Sequence, residues 1–229
     1  MAKSRSYGVR DVMNWKFTEQ PLPQQWLNHL GDIPDRFLMY VDGDAGHGKT
    51  EYVMKMSLML QQHMGKVHLN NVEQGKHVQI QQSAGRNQFN DPVRPGKWMY
   101  SIINDFDAYV QKISGRNSGR IQIIDSISYW PLTEKQVQFL IEKFRHKSFV
   151  FVAYKAHFNR NKPISHLCDI KVRVENFRAF PSSRFGGNEV YDIWPEKHRK
   201  KNGQGSLFEA KPMSAVEIST KLMESMKQL

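Results

Sequence analysis

The chain has 229 residues, enough to bury a sizeable hydrophobic core in one domain. Its 33 Lys and Arg against 22 Asp and Glu give a formal net charge of +11. Such an excess favours polyanionic partners, nucleic acid first, although a basic surface without a specific partner is the alternative. The single cysteine, Cys168, excludes a disulfide framework and a cysteine-based zinc site.

No apolar run reaches the 18 residues that a membrane-spanning helix needs. Residues 1–10 are basic but lack the apolar stretch of a signal peptide. Together with the cysteine usage, these features predict a cytoplasmic protein that does not contact a membrane.

Residues 1–36 form a predicted N-terminal extension. Short apolar pieces alternate there with Pro21, Pro23 and Pro34. Trp15, Trp26 and Leu30 either pack into the core or belong to a lid or docking segment, and we favour the core.

The strongest motif begins at Gly43. An apolar strand is predicted at residues 37–41, and apolar residues recur at helical spacing from Tyr52 onward. The residues between them spell G-x-x-x-x-G-K-[ST], the phosphate-binding P-loop. Glycines allow the backbone to wrap closely around a phosphate, and the amides that open the helix attract its charge. We therefore predict nucleotide contacts by Gly43, Asp44, Ala45, Gly46, His47, Gly48, Lys49, Thr50 and Glu51.

Two carboxylates follow predicted strands. Glu73 ends the strand at residues 66–72, where it can orient and deprotonate a water that attacks the γ-phosphate. A solvent-facing Glu at a strand end is the alternative. Asp125 ends the apolar strand at residues 120–124, the place of a Walker B aspartate, and with Thr50 it predicts a Mg²⁺ site.

The second half of the chain continues this pattern. Residues 76–87 predict a helix, residues 98–113 predict a strand or a helix, and Thr133 or Glu134 opens a further helix. A third buried strand is predicted at residues 148–153.

A basic loop is predicted at residues 155–166. Lys155, Arg160 and Lys162 would contact the phosphates of single-stranded DNA, and Phe158 would stack on a base. A solvated surface loop is the alternative. Residues 169–174 and 189–194 predict two more strands joined by residues 180–187, followed by a linker and a short C-terminal helix.

The order of these motifs resembles the RecA-like ATPases, nearest to the RadA (Sms) and DnaB helicase branch. The resemblance covers residues 20–197 and includes the lead-in at residues 26–34, the segment at residues 166–169, and Arg184-Phe185-Gly186. It implies a mostly parallel central sheet with helices on both faces. The implied ATPase core is residues 37–197, and residues 198–229 form a basic linker and helix.

The resemblance also implies an activity: a DNA-dependent ATPase that uses ATP and Mg²⁺ in DNA replication, recombination or repair. Such proteins work as oligomeric rings or filaments on single-stranded DNA, as motors, helicases or strand-exchange factors. Glu73 would be the base, Lys49 would hold the phosphates, and Arg184 would reach a neighbouring subunit's nucleotide. Ser182 stands where the family has a lysine, a departure that bears on this last step.

Two rival functions remain open: an ATP-switched loader or regulator of a replication protein, and a P-loop kinase acting on a small molecule. A kinase needs a set of lid arginines and has no need for Glu73. Residues 204–208 resemble the peptide with which bacterial replication proteins dock on the sliding clamp, although a simple linker explains them equally well. The chain resembles a minimal core of the kind that bacterial plasmids, phages or mobile elements carry.

Overall fold

A computed structural model describes residues 6–16, 20–89 and 97–197. The predicted clamp peptide and C-terminal helix lie outside the described residues. The helices are α1 (Val9–Met13), α2 (Gln24–Leu30), α3 (Lys49–His63), α4 (Val78–Arg86), α5 (Phe106–Ser114), α6 (Glu134–Lys143) and α7 (Phe158–His166), with a 3₁₀ turn at Lys155–His157. The strands are β1 (Leu38–Gly43), β2 (Val67–Asn71), β3 (Trp98–Ser101), β4 (Ile121–Asp125), β5 (Ser148–Tyr154), β6 (Ile170–Glu175), β7 (Arg178–Ser183) and β8 (Tyr191–Asp192).

These strands form one sheet in the order β3-β2-β4-β5-β1-β6-β7-β8. The first six are parallel, and β7 and β8 add an antiparallel edge. Every residue of β1 and β4 is buried, as expected for parallel strands covered on both faces. The predicted mostly parallel sheet is confirmed.

Helices cover both faces of the sheet. On one face, α2 and α3 pack on alternate residues of the strands, such as Met39 and Val41 of β1. On the other face, α5, α6 and α7 pack on the intervening residues, such as Leu38 and Tyr40. The P-loop strand therefore contributes to both halves of the core.

Helix α2 belongs to this core. Trp26 and Leu30 are buried, and the Trp26 ring stacks on Tyr191 at 4.4 Å. The predicted boundary at residue 36 does not coincide with a packing boundary, because α2 lies inside the core cluster. Trp15 instead is exposed and contacts Tyr7 edge-on.

The Arg-Phe-Gly segment after β7 is packed tightly against the end of α2. A Cβ on Gly31 would lie 2.1 Å from the Phe185 carbonyl oxygen, and one on Gly187 would lie 2.3 Å from the Gly31 nitrogen. The Asp32 N–H donates to the same Phe185 oxygen at 3.0 Å. Glycine at positions 31 and 187 therefore has a packing reason inside this chain.

Two predictions of local structure are wrong. Residues 180–183, predicted as part of the connection at residues 180–187, belong to β7, which pairs with β6 through a tight turn at Asn176 and Phe177. Both turn residues have positive φ, 50° and 58°, and without a glycine there the turn left no signal in the sequence. Residues 155–166 are helical rather than a loop, despite Pro163, because Asn161, Ile164 and Ser165 are buried on the face that packs inward.

No helix in the described parts of the chain is long and apolar enough to cross a bilayer.

His29 joins α2 to the rest of the core. Its side chain is 1% exposed, with Nδ1 2.7 Å from the Glu189 carbonyl oxygen and Nε2 2.9 Å from the Tyr52 hydroxyl. Nδ1–H thus donates to the carbonyl, and Nε2 accepts from the hydroxyl. Burial lowers the pKa of His29 to about 4, although the Glu189 hydrogen bond opposes the shift.

This burial predicts acid sensitivity. The unfolded chain binds a proton at His29 near pH 6.5 but the folded chain only near pH 4, so folding loses stability as pH falls between these values. The full loss amounts to about 3 kcal/mol. We expect H29Q to remove much of the dependence of the unfolding free energy on pH, measured by urea unfolding at pH 7, 6 and 5. H146Q changes an exposed histidine and should keep it; equal slopes in all three proteins would contradict this assignment.

Candidate nucleotide-binding site

The predicted nucleotide residues meet at the carboxyl edge of the sheet. The ends of β1, β2, β4 and β5 open there onto a cavity of about 450 Å³. Its lining includes Gly46, Lys49, Thr50, Glu73 and Asp125. The structure therefore brings together residues that are far apart in the sequence, whereas Gly43, Asp44 and His47 of the predicted set do not line the cavity.

The P-loop backbone has the shape that its glycines allow. Gly46 and Gly48 have φ of 75° and 97°, and Gly48 is the N-cap of α3. At Gly43 a Cβ would lie 2.3 Å from the Val174 carbonyl oxygen of β6. Glycine is therefore required at position 43 for β1 to pass β6 and at positions 46 and 48 for the turn.

Lys49 points into the cavity from the first turn of α3. Its Nζ donates to the carbonyl oxygens of Gly43 and Asp44 at 2.8 and 3.0 Å, and lies 4.4 Å from the centre of the Tyr154 ring. Burial lowers the pKa of Lys49, while Glu73 and Asp125 act against this shift. The ammonium is thus held where it can reach a phosphate bound by the loop.

The end of β1 is fixed by an ion pair next to the loop. Arg173 of β6 donates to both Asp42 carboxylate oxygens, at 2.9 and 2.8 Å. The Asp42 side chain is 3% exposed and the Arg173 side chain is 43% exposed, so a buried carboxylate is bound through two hydrogen bonds by a partly exposed guanidinium. The pair holds β1 and β6 in register one residue before Gly43.

Asp125 and Glu73 face the same cavity in different surroundings. Burial, reinforced by the Glu73 charge, raises the pKa of Asp125 to about 7, while Lys49 opposes the rise. Glu73 is half-buried and accepts a hydrogen bond from the Tyr154 hydroxyl. Burial and this bond raise the pKa of Tyr154 to about 12, so the tyrosine acts as a donor at neutral pH. Both carboxylates therefore lie close enough to Lys49 to interact electrostatically with its ammonium group.

The oxygen atoms around Thr50 fit a magnesium ion. The Thr50 hydroxyl accepts from the Gln74 side-chain amide at 3.3 Å, and the Gln74 Oε1 is buried without a hydrogen-bond partner. Asp125 supplies a carboxylate in the same cavity. Mg²⁺ prefers such hard oxygen ligands, completed by water and phosphate oxygens. The residues present therefore fit both the metal and a triphosphate.

Sequence reasoning missed one wall of the cavity. Phe177 of the β6–β7 turn lies against Gly48, and Trp194 and Lys197 follow β8. Two cations lie over the Trp194 ring, Lys197 at 3.6 Å and Arg86 at 5.0 Å from its centre. Without the missed turn, the sequence held no signal that these residues return to the P-loop.

Glu51 has a structural role that was not predicted. Its carboxylate accepts hydrogen bonds from Ser83, Arg86 and Asn87 at 2.7, 2.8 and 2.8 Å. Burial opposes ionisation, but these bonds lower the pKa of Glu51 overall. The side chain therefore holds α4 against α3 beside the cavity.

Arg184 does not join this site within its own chain. Its guanidinium lies 3.6 Å from the Asp169 carboxylate, just before β6, at the amino edge of the sheet. The P-loop lies at the opposite edge. A contact between Arg184 and a nucleotide remains a prediction that requires a neighbouring subunit.

The predicted DNA-binding residues follow β5 at the carboxyl edge. Arg160 and Lys162 are exposed, and Lys155 is half-buried. Arg160 also donates to the Ser128 carbonyl oxygen at 3.0 Å. Phe158 packs on the core, 6.4 Å from the Tyr40 ring, rather than extending as a stacking platform.

The close approach at Gly43 gives a direct test of how the loop is built. We expect G43A to lower the free energy of unfolding by about 2 kcal/mol, because its Cβ meets the Val174 backbone. G85A lies in α4 with open space around it and should be neutral or stabilising. Thermal and urea unfolding of both variants would measure this; G43A as stable as G85A would refute the strand contact.

No protein-family model matches the sequence, and no curated protein matches it at a significant level. Solved structures do match. The flagellar accessory protein FlaH from Methanocaldococcus jannaschii has a TM-score of 0.60 at 13% identity, over 78% of this chain and 94% of that chain. The KaiC-like protein PH0186 from Pyrococcus horikoshii OT3 has a TM-score of 0.53 at 13% identity, over 77% and 99% of the two chains. At this identity the likeness concerns the fold, and the chain has the RecA-like P-loop fold.

Proposed function

We propose that the protein is a magnesium-dependent ATP hydrolase whose turnover is coupled to single-stranded DNA. The hydrolase assignment rests on one observation. Glu73, Asp125 and Lys49 line the same cavity beside the P-loop. A site for nucleotide binding alone needs the loop and a metal ligand. A second carboxylate facing the γ-phosphate position supports hydrolysis.

Each residue has a distinct part in the reaction. The P-loop amides and Lys49 would bind the β- and γ-phosphates, and Thr50 and Asp125 would hold Mg²⁺, which would supply positive charge to the phosphate oxygens. Glu73 orients a water and takes its proton as the water oxygen bonds to the γ-phosphorus. The bond between that phosphorus and the β–γ bridging oxygen breaks, giving ADP and phosphate.

Glu73 is the residue that separates this assignment from a kinase. We expect E73Q to bind ATP with affinity close to that of the original chain but to hydrolyse it at least about 100-fold more slowly, because the amide cannot accept the proton. Phosphate release and equilibrium binding of a fluorescent ATP analogue measure the two effects. E142Q removes an exposed carboxylate on α6 and serves as the control. Turnover by E73Q within a factor of a few of the control would rule out Glu73 as the base.

The coupling to DNA is supported by a short connection. Tyr154, the hydroxyl donor to Glu73, is followed directly by Lys155, and Arg160 and Lys162 lie on the next helix. DNA phosphates bound by these cations would shift Tyr154 and with it the orientation of Glu73. The overall charge of +11 supports a polyanionic partner as well. The wider role that follows is in DNA replication, recombination or repair.

We also propose that the protein assembles into a homo-oligomer. Arg184 is exposed at the edge opposite its own P-loop, so it can contact only the nucleotide of another subunit. A ring or filament that places Arg184 and the start of β6 of one subunit beside the nucleotide cavity of another subunit would bring it there.

The DNA coupling has its own test. We expect K155Q/K162Q to lose most of the stimulation of ATP hydrolysis by single-stranded DNA, expressed as the ratio of rates with and without DNA. The double variant K76Q/K135Q removes two exposed lysines elsewhere and should keep that ratio. If single-stranded DNA does not change the rate of ATP hydrolysis by the original chain, the coupling is contradicted, but the hydrolase assignment is not.

A further inference from the structure

A row of cations lies at the amino edge of the sheet, away from the nucleotide cavity. In spatial order, β3, β2, β4 and β5 are each preceded by a basic residue, and Arg36 lies two residues before β1. The members of this amino-edge row are Lys97, Lys66, Arg120, Lys147 and Arg36. Neighbouring strands lie about 4.8 Å apart, so the row extends roughly 19 Å across the sheet.

The centre of the row opens into a cavity of about 580 Å³. Its lining includes Lys66, Arg116, Arg120, His146 and Lys147, and no Asp or Glu among the residues that the structure describes. Arg120 is paired with Asp35 at 3.0 Å, with both side chains about 40% exposed. Such an exposed pair is weak and leaves the cavity strongly positive.

Lys147 is the most informative member. The residue is 5% exposed, and its ammonium donates to the Ser118 hydroxyl at 2.9 Å and the Gly119 carbonyl oxygen at 2.6 Å, both neutral. Within the described residues, Lys147 takes part in no ion pair. A buried charge without a counter-charge is costly, so an anion bound at this cavity would be strongly favoured.

Helix dipoles do not account for the row. Helices α3, α5 and α6 end at this edge, and cations in their last turns are stabilising. However, Lys66 lies three residues beyond the end of α3, and Lys147 lies four residues beyond the end of α6. The dipole effect falls off within the last turn, so it gives no reason for cations at these positions.

We propose that the amino-edge row, together with Arg116 at its central cavity, binds the phosphodiester backbone of nucleic acid without reading its sequence. A track about 19 Å long suits a chain of phosphates better than a single compact anion. The aromatic side chain that lines the cavity, Phe144, is 4% exposed, so the described surface offers phosphate contacts rather than base stacking. The row is separated from the P-loop by the length of the strands and needs no bound ATP, so this binding goes beyond the proposed hydrolysis.

The test measures binding of a fluorescein-labelled 20-nucleotide single strand and of the matching duplex by anisotropy, without ATP, over a salt series. We expect K66Q/R116Q to weaken binding about 10-fold at low salt and to reduce the single-strand salt slope by about 1.4, since each lost phosphate contact contributes about 0.7. K76Q/K135Q removes the same charge elsewhere and should change affinity less than about 2-fold. Equal losses in the two double variants would overturn the proposal.

K147M separates binding from a structural role. Replacing an uncompensated buried charge by an apolar side chain of similar size is neutral or stabilising, so we expect weaker nucleic-acid binding at an undiminished melting temperature. Unchanged binding with a lower melting temperature would show that Lys147 is structural and overturn the proposal. Inorganic phosphate that displaces the oligonucleotide better than sodium chloride of equal ionic strength would assign the cavity to a compact anion, and so would also overturn it.

The outcome is independent of the proposed hydrolysis. Loss of binding in K66Q/R116Q together with DNA-insensitive hydrolysis would uphold this inference and reject the DNA coupling. Unchanged binding in K66Q/R116Q together with DNA-stimulated hydrolysis would reject this inference and uphold the DNA coupling.

Discussion

The position of the Lys49 ammonium is the constraint on which the rest of the structure depends. Two backbone carbonyls of the P-loop hold it at 2.8 and 3.0 Å, and the carboxylates of Glu73 and Asp125 balance part of its charge. Four strands have to end at one edge for these groups to meet. The parallel order of the sheet supplies that edge, and the close passage of β1 along β6 at Gly43 sets the starting point of the loop.

The same geometry divides the sheet into two chemically different edges. At the carboxyl edge, negative and positive groups alternate around a cavity, and Tyr154 connects Glu73 to the basic helix that follows β5. At the amino edge, cations lie together with few carboxylates near them, and Lys147 is buried with neutral partners alone. A group of basic side chains thus lies at the edge of the sheet opposite the nucleotide cavity.

Much of the nucleotide site could be predicted from sequence because its residues follow local rules. Gly43 to Thr50 are contiguous, and Glu73 and Asp125 each end an apolar strand. The rest of the site could not be predicted, because it is formed by residues that are distant in the sequence and come close only in the folded chain. Trp194 and Lys197 reach the cavity only because Asn176 and Phe177 form a turn without glycine, and Glu51 is held by side chains of α4. The helix at residues 158–166 was missed because its buried face outweighs Pro163.

The central claim is that Glu73 acts on water at a nucleotide held by Lys49, Thr50 and Asp125. A crystal structure with Mg²⁺, ADP and aluminium fluoride tests it most directly, since the fluoride complex mimics the transferring phosphoryl group. We expect the metal on the Thr50 hydroxyl, near Asp125, and the attacking water within hydrogen-bond distance of the Glu73 carboxylate. A water held by another group, with Glu73 still bound to Tyr154 and turned away from it, would contradict the account.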